Sequence, residues 1–177
     1  MLNEQLKNEF GRDIITSFRE PDELIAIEIK APGSKFSYGK DFEAKLAIRN
    51  LSPNPIIIHQ DALFEGRITV NARVRGDLEA DIDMLVDKTI QPSMPIEPQQ
   101  SILVPIRLQT GQLADILKKH PQAELEIQVT GFIDPALNRD NEMINGLPGL
   151  EPARTVLRRP ATELSSEYLQ NRFGALS

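Results

Sequence analysis

The sequence has no cysteine and no tryptophan, and aromatic residues make up only 5% of its 177 positions. The absence of cysteine excludes a disulfide framework, a zinc–thiolate site and a cysteine nucleophile. The sequence also contains no phosphate-binding loop, dinucleotide fingerprint, metalloprotease helix or G-x-S-x-G nucleophile turn. These absences remove the motif-bearing enzyme classes from consideration.

Long apolar runs are also missing, so no membrane-inserting helix is predicted. The N-terminal segment contains acidic residues, and its apolar residues are too interrupted, for a signal peptide. The rest of the sequence is compatible with a location on either side of a membrane. Twenty basic and 26 acidic residues give a net charge of −6, which argues against nucleic acid as a partner because such binding requires clustered Lys and Arg.

What the sequence does contain is an alternation of apolar and polar residues with period two through its middle. Such alternation is typical of half-buried β-strands. It predicts strands at residues 25–29, 42–48, 56–58, 68–72, 78–82, 102–108, 125–133 and 155–158. Pro105 places its strand at an edge or a bulge, because proline has no N–H to donate. Between two strands, Thr110 begins a short predicted helix that ends at His120.

The predicted strands at 68–72 and 78–82 are expected to form a hairpin with a defined register. If both apolar sets face the same side, residues opposite each other have numbers of the same parity, so the loop has an odd number of residues. A loop of Val74, Arg75 and Gly76 meets this condition, with Gly76 in the left-handed conformation. The predicted register places Arg73 opposite Asp77 and Arg67 opposite Asp83.

Apolar residues at four-residue spacing predict an amphipathic helix at each end of the chain. The predicted organisation is an N-terminal helix and linker at residues 1–22, a β-sandwich domain at 23–159 and a C-terminal helix at 160–177. The helices either pack across the open ends of the sheets or dock on a partner. The candidate interaction residues are Leu6, Phe10, Ile14, Leu164, Tyr168 and Phe173.

One acidic loop is a candidate calcium site, because it offers several hard oxygen ligands within nine residues. Its candidate metal ligands are Asp134, Asn138, Asp140 and Glu142. Asn and Asp are also ordinary turn formers, so a plain turn is the alternative. No other cofactor is predicted.

Two further sets of residues could carry chemistry. His59 and His120 are far apart in sequence, and His120 is better explained as a residue at the negative end of a helix dipole. Glu79, Asp81 and Asp83 are predicted to share one strand face, where paired acids could act in a hydrolase. A solvated strand face opposite arginines is the stronger explanation and requires no catalysis.

Two segments carry a resemblance to a known architecture. The segment at 38–41, with Asn50-Leu51-Ser52 after the next strand, is similar to the opening of immunoglobulin-like and fibronectin-III-like domains. The segment at 96–102 is similar to the proline-containing lead into a middle strand of such domains. The resemblance implies a mainly β fold, an antiparallel two-sheet immunoglobulin-like sandwich. The chain departs from antibody domains by lacking both cysteines and the tryptophan.

The function expected from these features is a non-catalytic structural or protein-interaction module within a larger multidomain protein. Its partner would be another protein or a neighbouring domain of the same chain, and self-association into a homo-oligomer stays open. The alternative is a carbohydrate- or Ca²⁺-dependent ligand-binding module. A hydrolase that uses the strand-face carboxylates ranks last.

Overall fold

A computed structural model of the chain describes residues 20–37 and 42–161. Nearly all of both predicted terminal helices, at 3–18 and 160–177, lies outside these ranges. The same is true of Tyr38 and of the six candidate interaction residues, which are Leu6, Phe10, Ile14, Leu164, Tyr168 and Phe173.

The described residues form a mainly β structure with two short helices. The helices are α1 (Pro21–Leu24) and α2 (Gly111–Lys119). The strands are β1 (Ile25–Lys30), β2 (Glu43–Asn50), β3 (Arg67–Gly76), β4 (Ala80–Thr89), β5 (Ser101–Arg107), β6 (Leu125–Ile133), β7 (Ala136–Leu137), β8 (Met143–Ile144) and β9 (Ala153–Arg159). The predicted strand at 56–58 is wrong, because only isolated bridges from Ile56 to Ile96 and from Ile58 to Phe64 form there.

Two antiparallel sheets pack against each other. Sheet A has the order β1-β2-β5, and sheet B has the order β4-β3-β6-β9. The sheets approach closely at Gly131 of β6, where an added Cβ would lie 3.4 Å from side-chain atoms of Ile29 and Leu46. The predicted antiparallel sandwich is confirmed.

The sequence alternation sorts side chains between the core and solvent. In β2, Ala44, Leu46 and Ile48 are fully buried, while Lys45 and Arg49 are exposed. Burying each of the larger aliphatic side chains contributes about 1.5–3 kcal/mol before the cost of conformational entropy. A shift of one residue in the pairing register of β2 would expose this whole apolar set to solvent. The alternation therefore determines which face of the strand packs on the core.

The predictions for β5 and α2 are confirmed. β5 is an edge strand of sheet A, as its proline requires, and the Lys88 ammonium donates a hydrogen bond to the Pro105 carbonyl. Helix α2 lays Leu113 and Leu117 on the core. Thr110 occupies the N-cap position, although its side chain makes no capping hydrogen bond.

The β3–β4 hairpin is present, but its predicted register is wrong. Strand β3 continues through Gly76, and the turn lies at 77–79. Arg73 therefore faces Asp81, and Arg67 faces Thr89. The longer β3 follows from its other neighbour, because β3 pairs with β6 as far as Gly76 opposite Leu125.

A bulge in β4 accounts for the rest of the shift. Residues 83–85 together face Asn71, so the register moves by two residues and the parity of facing pairs is kept. Met84 has φ of 52°, and its N–H donates to the Asn71 side-chain oxygen at 2.8 Å. The ion pair at this end of β4 joins Arg67 to Asp87 at 3.1 Å.

Candidate functional site

Three connections begin and end at the same end of the sandwich. They are residues 51–66 between β2 and β3, 90–100 between β4 and β5, and 134–152 between β6 and β9. The third extends along sheet B, where the Asn71 side-chain NH₂ donates to the Met143 sulfur at 3.8 Å. Backbone hydrogen bonds join the first two, since Ile56 and Ile96 exchange hydrogen bonds at 2.9 and 2.8 Å and Ile90 donates to Gly66 at 2.8 Å. We refer to these three connections together as the loop end.

A buried amide holds the first two connections together. Asn50 is fully buried, and its side-chain NH₂ donates to the carbonyls of Asn54 at 2.7 Å and Ile96 at 2.8 Å. Its side-chain oxygen accepts the Ser52 N–H at 2.8 Å. The gap between the predicted strands at 42–48 and 56–58 indicates a loop here but not this role of Asn50, although an Asn two residues before a Ser is a signal for an Asx turn.

A second buried amide holds the third connection. Asn145 is 2% exposed, accepts the Ile133 N–H and donates to the Leu150 carbonyl, both at 2.8 Å. The Asp134 carboxylate accepts the backbone N–H groups of Glu65 and Arg67, each at 2.8 Å. The connection at 134–152 is therefore tied both to its own strand and to the connection at 51–66.

Large apolar side chains are exposed on these loops. Eight large apolar residues among those described are exposed, and five of them belong to the loop end. Those five are Ile57, Leu63, Met94, Leu137 and Ile144, with exposures from 37% to 75%. Apolar groups concentrated on rigid loops at one end are typical of a binding surface.

The predicted calcium ligands have other partners. Asn138 closes the β7–β8 turn, where its side-chain oxygen accepts the N–H groups of Asp140 at 2.8 Å and Glu142 at 2.9 Å. The side-chain NH₂ of Asn138 donates to the Glu142 carboxylate at 3.2 Å, and the carboxylate of Asp134 accepts backbone N–H groups as described. Within 20–37 and 42–161, no three His, Cys, Asp or Glu side chains meet as a metal site. The calcium site stays a prediction that titration with Ca²⁺ tests.

The three carboxylates predicted to share one strand face lie at the start of β4. Glu79 lies in the turn before the strand, and Asp83 lies in the bulge. Asp81 is on the strand but pairs with Arg75 at 2.7 Å. All three residues are exposed, and a catalytic role for them stays a prediction.

The two histidines are in different places. His59 Nδ1 lies 3.5 Å from the Asp61 carboxylate, and both side chains are exposed. His120 occupies the C-cap of α2, at the helix end where the sequence placed it, and its backbone N–H donates to the Ile116 carbonyl. The two residues do not combine in one site.

The clearest pKa effect lies where β3 leaves the loop end. Hydrogen bonds from the Arg67 guanidinium and the Thr69 hydroxyl lower the pKa of the Asp87 carboxyl below its ordinary value. Both bonds favour the charged carboxylate. This ion pair ties β3 to β4 beside the connection at 51–66.

A buried arginine at the opposite end was not predicted individually. Arg159 is 1% exposed, and its guanidinium donates to the carbonyls of Leu117 at 2.8 Å, Ala123 at 3.0 Å and His120. These carbonyls lie at and just after the end of α2, where a helix leaves acceptors without internal partners. Arg159 therefore fastens α2 to β9.

No helix within the described part of the chain is long and apolar enough to span a membrane. No protein-family model matches the chain, and no curated protein is significantly similar to it. Solved structures give weak similarities. The CARDB domain of the PF1109 protein from Pyrococcus furiosus, solved with di-metal ions, is 12% identical with a TM-score of 0.38, covering 78% of this chain and 94% of that one.

A second similar structure is Spo0M, a sporulation control protein from Bacillus subtilis, at 10% identity and a TM-score of 0.40, covering 86% of this chain and 56% of that one. A third is the β-glucosidase EmGH1 from Erythrobacter marinus, at 9% identity and a TM-score of 0.35, covering 76% of this chain and 15% of that one. Similarities at this level do not tell what this chain binds.

Proposed function

We propose that this chain is a non-catalytic protein-interaction module with an immunoglobulin-like sandwich, and that it binds its partner through the loop end. The strand order supports the immunoglobulin-like architecture, since a three-stranded and a four-stranded sheet are joined by crossings from β2 to β3, from β4 to β5 and from β5 to β6. We include in the proposal that the module belongs to a larger multidomain protein.

The observation that carries the proposal is the group of five exposed apolar side chains on firmly held loops. Exposed Ile, Leu and Met side chains become favourable contacts when a partner removes them from water. Asn50 and Asn145 hold these loops with buried hydrogen bonds, so little conformational entropy is lost when a partner binds.

Site-specific photo-crosslinking tests the proposal. A photoreactive amino acid is placed in the full chain at Ile57, Met94 or Leu137, and the chain is incubated with extract of the source cells. Leu103 and Val156 serve as matched controls, because they are also exposed, at 50% and 45%, but lie on β5 of sheet A and β9 of sheet B.

We expect mass spectrometry to identify the same partner polypeptide from all three loop positions and from neither control. Crosslinks that are equally frequent at the control positions, or no shared partner from the loop positions, would contradict the proposal. Carbohydrate binding and hydrolysis remain alternatives that the same preparations test with a glycan array and with glycoside substrates.

A further inference from the structure

The three connections of the loop end carry an excess of acidic residues equal to the net charge of the chain. Of its 26 acidic and 20 basic residues, seven acidic residues and one basic residue belong to the loop end, which leaves nineteen of each elsewhere. The acidic residues are Asp61, Glu65, Glu97, Asp134, Asp140, Glu142 and Glu151, and the basic residue is Arg139. The rest of the sequence is therefore electrically balanced, and the charge of −6 is that of the loop end.

Carboxylates lie on the same three connections as the exposed apolar side chains. Six of the seven acidic residues are exposed, and the seventh, Asp134, is partly buried and bound to backbone N–H groups. Glu97 follows Met94 by three residues on the same connection. Asp140 and Glu142 lie in the turn between β7, which carries Leu137, and β8. A partner that covers apolar side chains of these connections would therefore come near the exposed carboxylates, which we call the carboxylate rim.

A carboxylate near a neutral or acidic partner would lose water or meet a like charge without compensation. A partner with Lys or Arg beside its apolar side chains would instead gain attraction and be steered toward the loop end. Exposed charge pairs contribute little individually, so the apolar contacts supply most of the affinity and the charges choose between partners.

Resting on the proposed function, we infer that the loop end recognises a basic amphipathic segment of its partner protein. Such a segment presents apolar side chains to the five exposed residues and basic side chains to the carboxylate rim.

Two synthetic peptides provide the test. Both have the same amphipathic pattern of leucines, with lysine at the polar positions of one and glutamate at those of the other. Binding to the full chain is measured by isothermal titration calorimetry. We expect only the lysine peptide to bind, with an affinity that falls as salt is raised because these charges are exposed to solvent.

Charge-reversal variants test whether the carboxylates of the loop end, rather than the net negative charge of the whole chain, bind the lysine peptide. Glu97→Lys with Glu142→Lys changes the rim, whereas Glu79→Lys with Asp115→Lys makes the same change in net charge at exposed positions elsewhere. We expect the first pair to weaken binding of the lysine peptide about tenfold and the second pair by less than about twofold. Met94→Ser should also weaken binding, and Leu103→Ser should not.

Equal binding of the two peptides, or an equal loss in both charge-reversal pairs, would overturn the inference. It would also be overturned if the loop-end crosslinks reached an acidic or neutral partner segment, residues 1–19 of the same chain, or a second copy. A neutral or acidic partner segment would leave the proposed function standing, whereas the absence of any shared loop-end partner would remove the proposed function itself.

Discussion

Removing the Asn50 side chain tests how the loop end is held. In the variant Asn50→Ala, the buried Ser52 N–H loses its acceptor. The carbonyls of Asn54 and Ile96 each lose one donor but keep another, from the Ser52 hydroxyl at 2.7 Å and the Ile56 N–H at 2.9 Å respectively. The substitution therefore leaves one buried donor, the Ser52 N–H, without an acceptor and removes two further hydrogen bonds.

These losses set the expected magnitude. An orphaned buried donor costs about 1–3 kcal/mol, and each lost hydrogen bond costs about 0.5–1.5 kcal/mol. We expect the free energy of unfolding to fall by about 3 kcal/mol. For a chain of this length, this corresponds to a decrease in Tm of about 6–12 °C. The variant should still fold, because domains are typically stable by about 5–15 kcal/mol.

The assay is urea unfolding followed by circular dichroism, with Asn54→Ala as the matched control. Asn54 is exposed, and its backbone carbonyl rather than its side chain accepts the hydrogen bonds. Its loss should change the free energy of unfolding by less than about 0.5 kcal/mol. A loss below about 1 kcal/mol for Asn50→Ala, or equal losses for the two variants, would refute the reasoning.

Three further substitutions test other contacts. Gly146→Ala should lower the free energy of unfolding by about 2 kcal/mol, because the new Cβ would lie 2.2 Å from a backbone carbonyl oxygen. Gly33→Ala is the control and should be close to neutral, because its new Cβ would have its nearest atom at 3.9 Å. Arg159→Met should cost about 3 kcal/mol in thermal unfolding, because buried carbonyls at the end of α2 lose charged donors. Asp87→Asn should lower the free energy of unfolding at neutral pH. This difference from the unsubstituted chain should shrink below pH 3.8, because there the Asp87 carboxylate with its lowered pKa becomes protonated and loses its pairing with Arg67.

For each of these three predictions, a different result would contradict its physical reason. Equal stability of the two glycine variants would show that the close approach at Gly146 is relieved without cost. Arg159→Met with unchanged stability would mean that the carbonyls find water or other donors. A deficit for Asp87→Asn that stays constant from neutral to acid pH would show that the charge of Asp87 does not stabilise the folded chain.

The strands and the short helix could be predicted because their signals are local. The alternation in β2 and β6 and the four-residue spacing in α2 depend only on which side neighbouring side chains face. Pro105 marked an edge strand because a missing N–H is a property of the residue itself. The parity of the β3–β4 hairpin was correct for the same reason.

The register of that hairpin could not be predicted, because it depends on a third strand. Pairing with β6 extends β3 to Gly76, and the bulge opposite Asn71 moves β4 by two residues. The roles of Asn50 and Arg159 likewise rest on carbonyls 46 and 42 residues away in sequence, at Ile96 and Leu117. No local pattern connects such positions.

The sequence by itself determined which side chains are apolar, which strands alternate and that the net charge is −6. Only the tertiary structure decided where that charge lies. Antiparallel pairing brings the connections at 51–66, 90–100 and 134–152 to the same end of the sandwich. Strand pairing, and not sequence distance, therefore decides that these connections, with their acidic and apolar residues, begin and end near one another.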